Sequence, residues 1–366
     1  MLLWTEGSFV RETKILGVRI RNLRVLLSLP VLACAIIPVS AQQYPKIELS
    51  NGLLSATIYR PDPRDGFYRG TRFDWAGVIA RLEYKGHSYF GPFFDRFDAG
   101  EPDVIVGPTI VAGANSAASG PVEEFLSSDG TSLGYSDAKV GEPFYKIGVG
   151  TLQKPEEKNY SSFRHYTILD VGQRTTRTGK DWIEFAQVVK GDSGHSYIYR
   201  KTIRFKKSRP IMILEHSLKN TGHEPIETEV YDHNFLRIDR QTSGPEIVVT
   251  FPFQPLATEK MDGMAEIRGD QIIFLKELKG SDTLYTLLEG FGKRAADYRM
   301  QVENRKTGAG VIITGNRPLA KLAFWAIRTV VAPEPFIHIR VEPGQEYRWR
   351  YQYEFYAASE RSSTAH

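Results

Sequence analysis

The sequence predicts an all-β protein built as one large antiparallel β-sandwich. About fifteen β-rich runs recur along the 366 residues, and many alternate apolar and polar side chains with the period of two that half-buried strands show. No window longer than about ten residues carries the 3.6-residue apolar stripe of an amphipathic helix. Since no linker interrupts the runs, a single domain is expected over residues 42–357.

The β-rich runs are rich in Val, Ile, Tyr, Phe and Thr, which favour strands. They include LLSATIYRP, GVIARLEYKGHSYFG, YKIGVGTL, DWIEFAQVV, HSYIYRKTIRFK, PIMILEHSLKNTG, FIHIRV and YRWRYQYEFY. The glycine-containing stretches YKGH and KNTG predict hairpin turns between such strands. The polar tail at 358–366 is predicted to be disordered.

The first 41 residues predict an export signal. A basic cluster at 19–24 precedes the apolar run VLLSLPVLACAIIPV, and VSA at 39–41 supplies the small residues that a signal peptidase recognises. The run is too short for a comfortable membrane span, so no membrane span is expected. We expect a mature protein that begins at Gln42 and is periplasmic or secreted. Two alternatives stay open, a lipoprotein anchored at Cys34, whose VLAC loosely resembles a lipobox, and a buried N-terminal helix.

Charge and cysteine content exclude several classes of protein. Without the first 41 residues, 42 basic residues face 41 acidic ones, which gives no electrostatic case for nucleic acid or an anionic membrane as partner. The only cysteine is Cys34, so a chain cut before Gln42 has neither disulfides nor thiol chemistry. No metal-ligand spacing, phosphate loop or dinucleotide motif is present, and we expect no metal and no cofactor.

Two segments resemble a known family. The stretch ILEHSLKNTGHEPIETEVYDHNFLRID (213–239) resembles the central block of aldose 1-epimerases, or galactose mutarotases, in which an Asn-rich turn leads to a strand bearing (Asn/Asp)-His-x-(Tyr/Phe)-(Phe/Leu). The stretch VEPGQEYRWRYQYEFY (341–356) resembles the closing hairpin of that family. The resemblance implies the galactose mutarotase-like supersandwich, with a small-molecule carbohydrate bound in a pocket on its concave face.

Anomer interconversion needs one group to protonate the ring oxygen while another takes the proton of the anomeric hydroxyl. The resemblance implies that the acid is His233, with Asp232 beside it on the floor of the pocket. An imidazole titrates near neutral pH, which suits this role. The alternative is that His233 is a core histidine whose hydrogen bonds are made within the protein.

The resemblance implies a glutamate base shortly before the closing hairpin, and Glu334 is the only acid in VVAPEPFIHI. The prolines on either side of Glu334 fix its backbone and oppose ordinary strand pairing. Glu334 stands closer to the Pro-Gly turn than the family pattern leads one to expect. The alternative is an exposed acid on a proline-rich loop.

One motif of the family is missing. Mutarotases carry an earlier His-Gly-Gly triplet whose histidine contacts the sugar, whereas this chain has GPVEEF (120–125) at about that place. Strand alternation sends Glu123 and Glu124 to opposite faces, and Glu124 is the candidate for the pocket. Lys146 stands between apolar neighbours and is a second candidate. The alternative for both is a solvated strand face, and the departure puts free galactose or glucose in doubt as substrate.

Two arginines complete the candidate site. Arg72 lies in TRFDWAG with Trp75, an aromatic residue that suits sugar stacking, and Arg328 follows Trp325 in FWAIRT just before Glu334. Tryptophans are more often core residues than ligand platforms. Three functions stay open: a sugar epimerase, another carbohydrate-active enzyme such as a lyase or hydrolase, and a non-catalytic sugar-binding protein. The oligomeric state is not predictable from these patterns.

Overall fold

Antiparallel strand pairing dominates the computed structural model, which describes residues 44–191 and 194–358. The predicted export signal at 1–41 and all but the first residue of the predicted disordered tail at 358–366 lie outside the described residues. No helix in the described part of the chain has the length and apolar character to cross a membrane.

The described residues form 26 strands and two 3-10 helices, the latter at Ile238–Arg240 and Ala295–Asp297. The strands are β1 (Lys46–Ser50), β2 (Leu54–Tyr59), β3 (Ile79–Tyr84), β4 (His87–Phe90), β5 (Arg96–Asp98), β6 (Val104–Val106), β7 (Ile110–Gly113), β8 (Gly120–Leu126), β9 (Pro143–Lys146), β10 (Gly150–Gln153), β11 (Ile168–Asp170), β12 (Gln173–Thr178), β13 (Trp182–Lys190), β14 (Ser196–Phe205), β15 (Ile211–Asn220), β16 (Ile226–Phe235), β17 (Ile247–Thr250), β18 (Leu256–Ala257), β19 (Ala265–Arg268), β20 (Gln271–Phe274), β21 (Thr283–Glu289), β22 (Arg299–Asn304), β23 (Ala309–Gly315), β24 (Lys321–Ile327), β25 (Val330–Val341) and β26 (Glu346–Tyr356).

Two large sheets organise these strands. The larger has ten strands in the order β12-β13-β14-β15-β26-β23-β22-β17-β20-β19, and the smaller has six in the order β18-β21-β24-β25-β16-β8. Three small sheets, β1-β2-β3-β4, β11-β10-β9 and β5-β7-β6, complete the described structure. The predicted all-β antiparallel sandwich is confirmed, although β5 and β7 pair in parallel.

The core lies between the two large sheets, because alternate side chains of each sheet face the other. In β14 every second residue is buried, and the buried set consists of Tyr197, Tyr199, Lys201, Ile203 and Phe205. These apolar side chains share one cluster with Val230, Ile337 and Ile339 of the six-stranded sheet. Burying one large apolar side chain stabilises a fold by about 1.5–3 kcal/mol. Lys201 is the one charged residue in the buried row of β14.

The two predicted hairpin turns have different outcomes. YKGH closes the β3–β4 hairpin, where Lys85 and Gly86 both have positive φ, as a tight two-residue turn requires. KNTG does not close a hairpin, because β15 belongs to the ten-stranded sheet and β16 to the six-stranded sheet. The side chain of Asn220 holds this crossing by donating to the carbonyls of Glu224 and Val341.

Strand register in the six-stranded sheet sets the position of the candidate residues. β16 pairs with β8 on one side and β25 on the other, so that Tyr231 lies opposite both Glu124 and Phe336. Residues opposite one another across an antiparallel pair point to the same face, and so do residues two apart on one strand. His233 and Glu334 therefore share the face of Tyr231.

Candidate functional site

A cavity of about 190 Å³ lies on the face of the six-stranded sheet that points away from the ten-stranded sheet. His233 and Glu334 line it together with Trp325, while the partly exposed rings of Phe163 and Tyr285 stand where it opens to solvent. One water needs about 10–15 Å³ of such space. The cavity therefore has room for about a dozen waters, which is the scale of a single sugar ring rather than of a polysaccharide groove.

His233 and Glu334 form a direct pair on the cavity wall, with 3.1 Å between His233 Nε2 and Glu334 Oε1. The two side chains are only 6% and 8% exposed. The ring of His233 is stacked on Phe235 at 3.7 Å between centroids and meets Trp325 edge-on, so its orientation is fixed. If His233 and Glu334 flanked the substrate, their side chains would lie about one sugar ring apart. Instead, the two side chains are in direct contact.

Burial sets the protonation of this pair. Burial raises the pKa of Glu334 to about 8; Arg72 opposes this shift and Glu124 adds to it. Burial also lowers the pKa of His233 well below its usual value, and the neighbouring Arg72 lowers it further. Desolvation disfavours the charged form of either group, which is why the two pKa values move apart. At neutral pH the shared proton resides on Glu334 and the imidazole is neutral.

Arg72, Glu124, Tyr231 and Lys146 form a hydrogen-bonded network beside the pair. Glu124 Oε2 accepts from Arg72 Nε at 2.8 Å and from the Tyr231 hydroxyl at 2.6 Å, and Glu124 Oε1 accepts from Lys146 Nζ at 3.1 Å. Burial raises the pKa of Glu124, but Lys146 and Arg72 outweigh it and lower the pKa to about 2. Glu124 is therefore a carboxylate under all ordinary conditions.

The structure brings five of the seven predicted site residues to one place. His233, Glu334 and Arg72 line the cavity, whereas Glu124 and Lys146 lie directly behind Arg72. The solvated strand face considered for Glu124 and Lys146 is not observed, because both are about 1% exposed.

Asp232 and Arg328 do not reach the cavity. Asp232 precedes His233 on β16, so alternation sends its side chain to the opposite face, where Oδ2 accepts from the Tyr353 hydroxyl at 3.1 Å. Arg328 lies in the turn between β24 and β25, where the chain leaves the strand register. Its guanidinium donates to the carbonyls of Gly107 and Gly280. Arg328 therefore connects loops and does not line the cavity.

Three residues that contact Arg72 escaped the sequence reasoning. Tyr231 bonds both Arg72 and Glu124, and its place two residues before His233 on the same strand is the signal that would have found it. The Cζ atom of Arg72 lies over the rings of Phe73 and Phe163, at 4.5 and 4.6 Å from their centroids. Phe163 lies in a loop without strand periodicity, so no sequence pattern predicted its contact with Arg72.

A second polar group, here called the interior cluster, lies behind the cavity between the two large sheets and consists of Glu123, Lys201, His216, Asp232 and Tyr353. Glu123 accepts from Lys201 Nζ at 2.5 Å and lies 2.7 Å from His216 Nε2. All five side chains are essentially inaccessible to water. Burial raises the pKa of Asp232 well above its usual value, and the nearby Glu123 raises it further. Among the described residues, no set of three or more His, Cys, Asp or Glu side chains is arranged to hold a metal ion.

No family model and no curated protein matches the sequence. Among solved structures, the Slr1438 protein from Synechocystis sp. PCC 6803 is similar with a TM-score of 0.50 and 10% identity, over 87% of this chain and 98% of that one. The galactose mutarotase related enzyme from Lactobacillus acidophilus has a TM-score of 0.49 and 12% identity, over 86% and 98%. The GalM/aldose epimerase homologue from C. elegans has a TM-score of 0.47 and 13% identity, over 86% of this chain and 99% of that one. This chain shares its fold with the Slr1438 protein, and at 10% identity the likeness concerns the fold alone.

Proposed function

We propose that the protein is a carbohydrate-active isomerase that interconverts the anomers of a sugar by acid–base opening of its ring. The observation that carries the proposal is the His233–Glu334 pair, in which a carboxyl and an imidazole lie 3.1 Å apart on the wall of one cavity. Two titratable groups whose surroundings drive their pKa values apart are a frequent arrangement in acid–base catalysis. The galactose mutarotase-like fold and the size of the cavity support a monosaccharide as substrate.

In the proposed reaction Glu334 acts as the acid and His233 as the base. Glu334 gives its proton to the ring oxygen, the bond from that oxygen to the anomeric carbon breaks, and His233 takes the proton of the anomeric hydroxyl as the carbonyl forms. These roles are the reverse of those that the sequence resemblance implies, because the proton starts on Glu334. The ring oxygen and the anomeric hydroxyl are bonded to the same carbon, so two adjacent groups reach both.

Ring closure itself restores the site. After ring opening the pair holds a carboxylate and an imidazolium in direct contact, and on closure His233 gives its proton to the carbonyl oxygen while Glu334 takes the proton of the sugar hydroxyl that closes the ring. Rotation of the open aldehyde presents its other face, and ring closure by the reverse transfers yields the other anomer. No proton is gained or lost over the cycle.

The test is the rate of anomerisation of freshly dissolved reducing sugars, followed by polarimetry or NMR after subtraction of the buffer rate. A panel of neutral hexoses, hexuronates and hexose phosphates covers the sizes that the cavity admits. Acceleration of at least one sugar supports the proposal. Binding of a sugar without acceleration of its anomerisation would instead identify a non-catalytic sugar-binding protein.

We expect kcat/KM to depend on pH through Glu334. Because the acid form is required and its pKa is about 8, the rate should be level near pH 6–7 and fall about tenfold per unit at pH values above 8. His233 is already neutral at pH 6, so no loss of activity is expected down to that pH. A profile recorded between pH 5.5 and 9.5 checks this. A rate that keeps rising above pH 8 would contradict Glu334 as the acid.

A further inference from the structure

Cations outnumber carboxylates in the network behind the cavity. Arg72 and Lys146 share a single carboxylate, that of Glu124, and all three side chains are at most 12% exposed. Among the residues that the structure describes, Lys146 Nζ bonds only neutral groups besides Glu124, namely the carbonyl of Phe125 and the hydroxyl of Tyr160. The network therefore carries one positive charge in excess.

The neighbouring titratable groups do not compensate this charge. Burial raises the pKa of Glu334 to about 8, so near neutral pH the His233–Glu334 pair holds one proton and is neutral overall. Lys321, near Glu334, is paired with Glu229 at 3.2 Å. Asp103 lines the cavity on its solvent-exposed side, where water and salt screen its charge.

Arg72 is held rigidly and keeps one edge unused. Its Nε and Nη2 atoms donate to Glu124 and to the Tyr231 hydroxyl, and its guanidinium also contacts the rings of Phe73 and Phe163. Nη1 makes no hydrogen bond to any residue that the structure describes. Because Arg72 lines the cavity, this edge is available to a bound molecule.

We propose that the substrate of this site is a sugar carrying an anionic group, and that its carboxylate binds to Arg72. The inference rests on the isomerase function proposed above and names the substrate class for the same site. Buried charges in proteins are paired, and a network short of one anion has its missing partner supplied by the ligand. The planar guanidinium suits a carboxylate or a phosphate, and a charge-assisted hydrogen bond is about twice as strong as a neutral one.

Matched substrates test the inference on the wild-type protein. Glucuronate and glucose, or galacturonate and galactose, have the same ring and differ in the group at C6. We expect kcat/KM for the uronate to exceed that for the neutral sugar about 10- to 100-fold, the value of one buried charge-assisted hydrogen bond. Glucose 6-phosphate is a third substrate in this comparison. Its kcat/KM shows whether the site prefers a carboxylate or accepts any anion. Equal kcat/KM for the neutral and charged members would overturn the inference and leave the isomerase function intact.

Binding of locked sugars separates this inference from the isomerase function. Methyl glucuronide and methyl glucoside cannot anomerise, so calorimetric titration measures recognition alone. We expect the glucuronide to bind at least about tenfold more tightly. This result without anomerisation of any free sugar would keep the anionic ligand and discard the isomerase. Equal affinity for the two glycosides would overturn the anionic ligand.

Arg72→Gln removes the charge and keeps amide donors toward Glu124. We expect the preference for uronate over neutral sugar to fall about tenfold or more, while circular dichroism shows the fold retained. Arg340→Gln is the matched control, because Arg340 forms exposed ion pairs with Glu227 and Glu342 far along β25 from Glu334. A folded Arg72→Gln protein with an unchanged preference would refute the role of Arg72.

Discussion

Glu334→Gln is expected to lower the anomerisation rate by a factor of about 10² to 10⁴, the usual contribution of a positioned acid. Glutamine keeps the size of the protonated carboxyl and its contact with His233, but it has no proton to give to the ring oxygen. The loss should therefore appear in kcat, with a small change in KM. Stopped or continuous polarimetry with the best sugar of the panel measures both constants.

The same substitution is expected to stabilise the fold. The pKa of Glu334 is raised from 4.5 to about 8 by burial, so its contribution to stability is fully present below about pH 4.5 and is lost as the pH rises toward 8. Glutamine does not titrate and avoids this loss. We expect the variant to gain on the order of 1–3 kcal/mol over wild type near pH 8 and little at pH 4.5. Thermal melts at the two pH values measure the difference.

Glu227→Gln is the matched control for Glu334→Gln. Glu227 lies on β16, and its partners Arg340 and His338 are exposed, so its removal should change stability by less than about 0.5 kcal/mol at both pH values. A Glu334→Gln protein that is less stable than wild type at pH 8 would contradict the raised pKa of Glu334. Full activity in that variant would remove Glu334 from the mechanism.

The fold followed from the sequence because its signals are local and repeated. Period-two alternation and β-branched or aromatic composition exist within each strand, and β14 shows the alternation over its whole length. The crossing at KNTG was not predictable in the same way. A glycine turn between two strands looks the same whether they pair or enter different sheets, and the choice depends on partners such as Val341, 121 residues away from Asn220.

The sequence predicted those site residues whose type is unusual for their strand. It did not predict the contacts that depend on how the strands pair. His233 stood out as part of a polar triplet inside an otherwise apolar strand, and Glu334 stood out as an acid between two prolines. The direct contact between them depends on the pairing of β16 with β25, which no single strand reveals. The alternation rule that separates Glu123 from Glu124 also separates Asp232 from His233, so Asp232 belongs to the interior cluster.

The interior cluster places a fully buried ion pair directly behind β16, the strand that bears His233. Glu123 is inaccessible to water, and burial raises its pKa, but Lys201 and His216 outweigh this effect and lower the pKa to about 2. Burial lowers the pKa of His216, so its ring is neutral near pH 7 and donates a hydrogen bond without a compensating charge. Lys201 is therefore the one full positive charge in contact with Glu123.

Lys201→Met is expected to destabilise the protein by about 3–5 kcal/mol, because it leaves the Glu123 carboxylate buried without its cation. The remaining carboxylate raises its own pKa in the folded variant, so the stability of the variant should increase as the pH falls from 8 to 5. Urea denaturation at several pH values measures both effects. Lys219→Met on the exposed side of β15 is the matched control and should change stability by less than about 0.5 kcal/mol.

The double variant Glu123→Gln, Lys201→Met decides whether the ion pair itself stabilises the fold. Removing both charges eliminates the uncompensated carboxylate, and replacing a buried pair by neutral groups of similar size is often neutral or stabilising. We therefore expect the double variant to regain most of the stability that Lys201→Met loses. If the two losses instead add, Lys201 acts through its packing rather than its charge. In either case the anomerisation rate should follow the folded fraction, since these side chains face away from the His233–Glu334 pair.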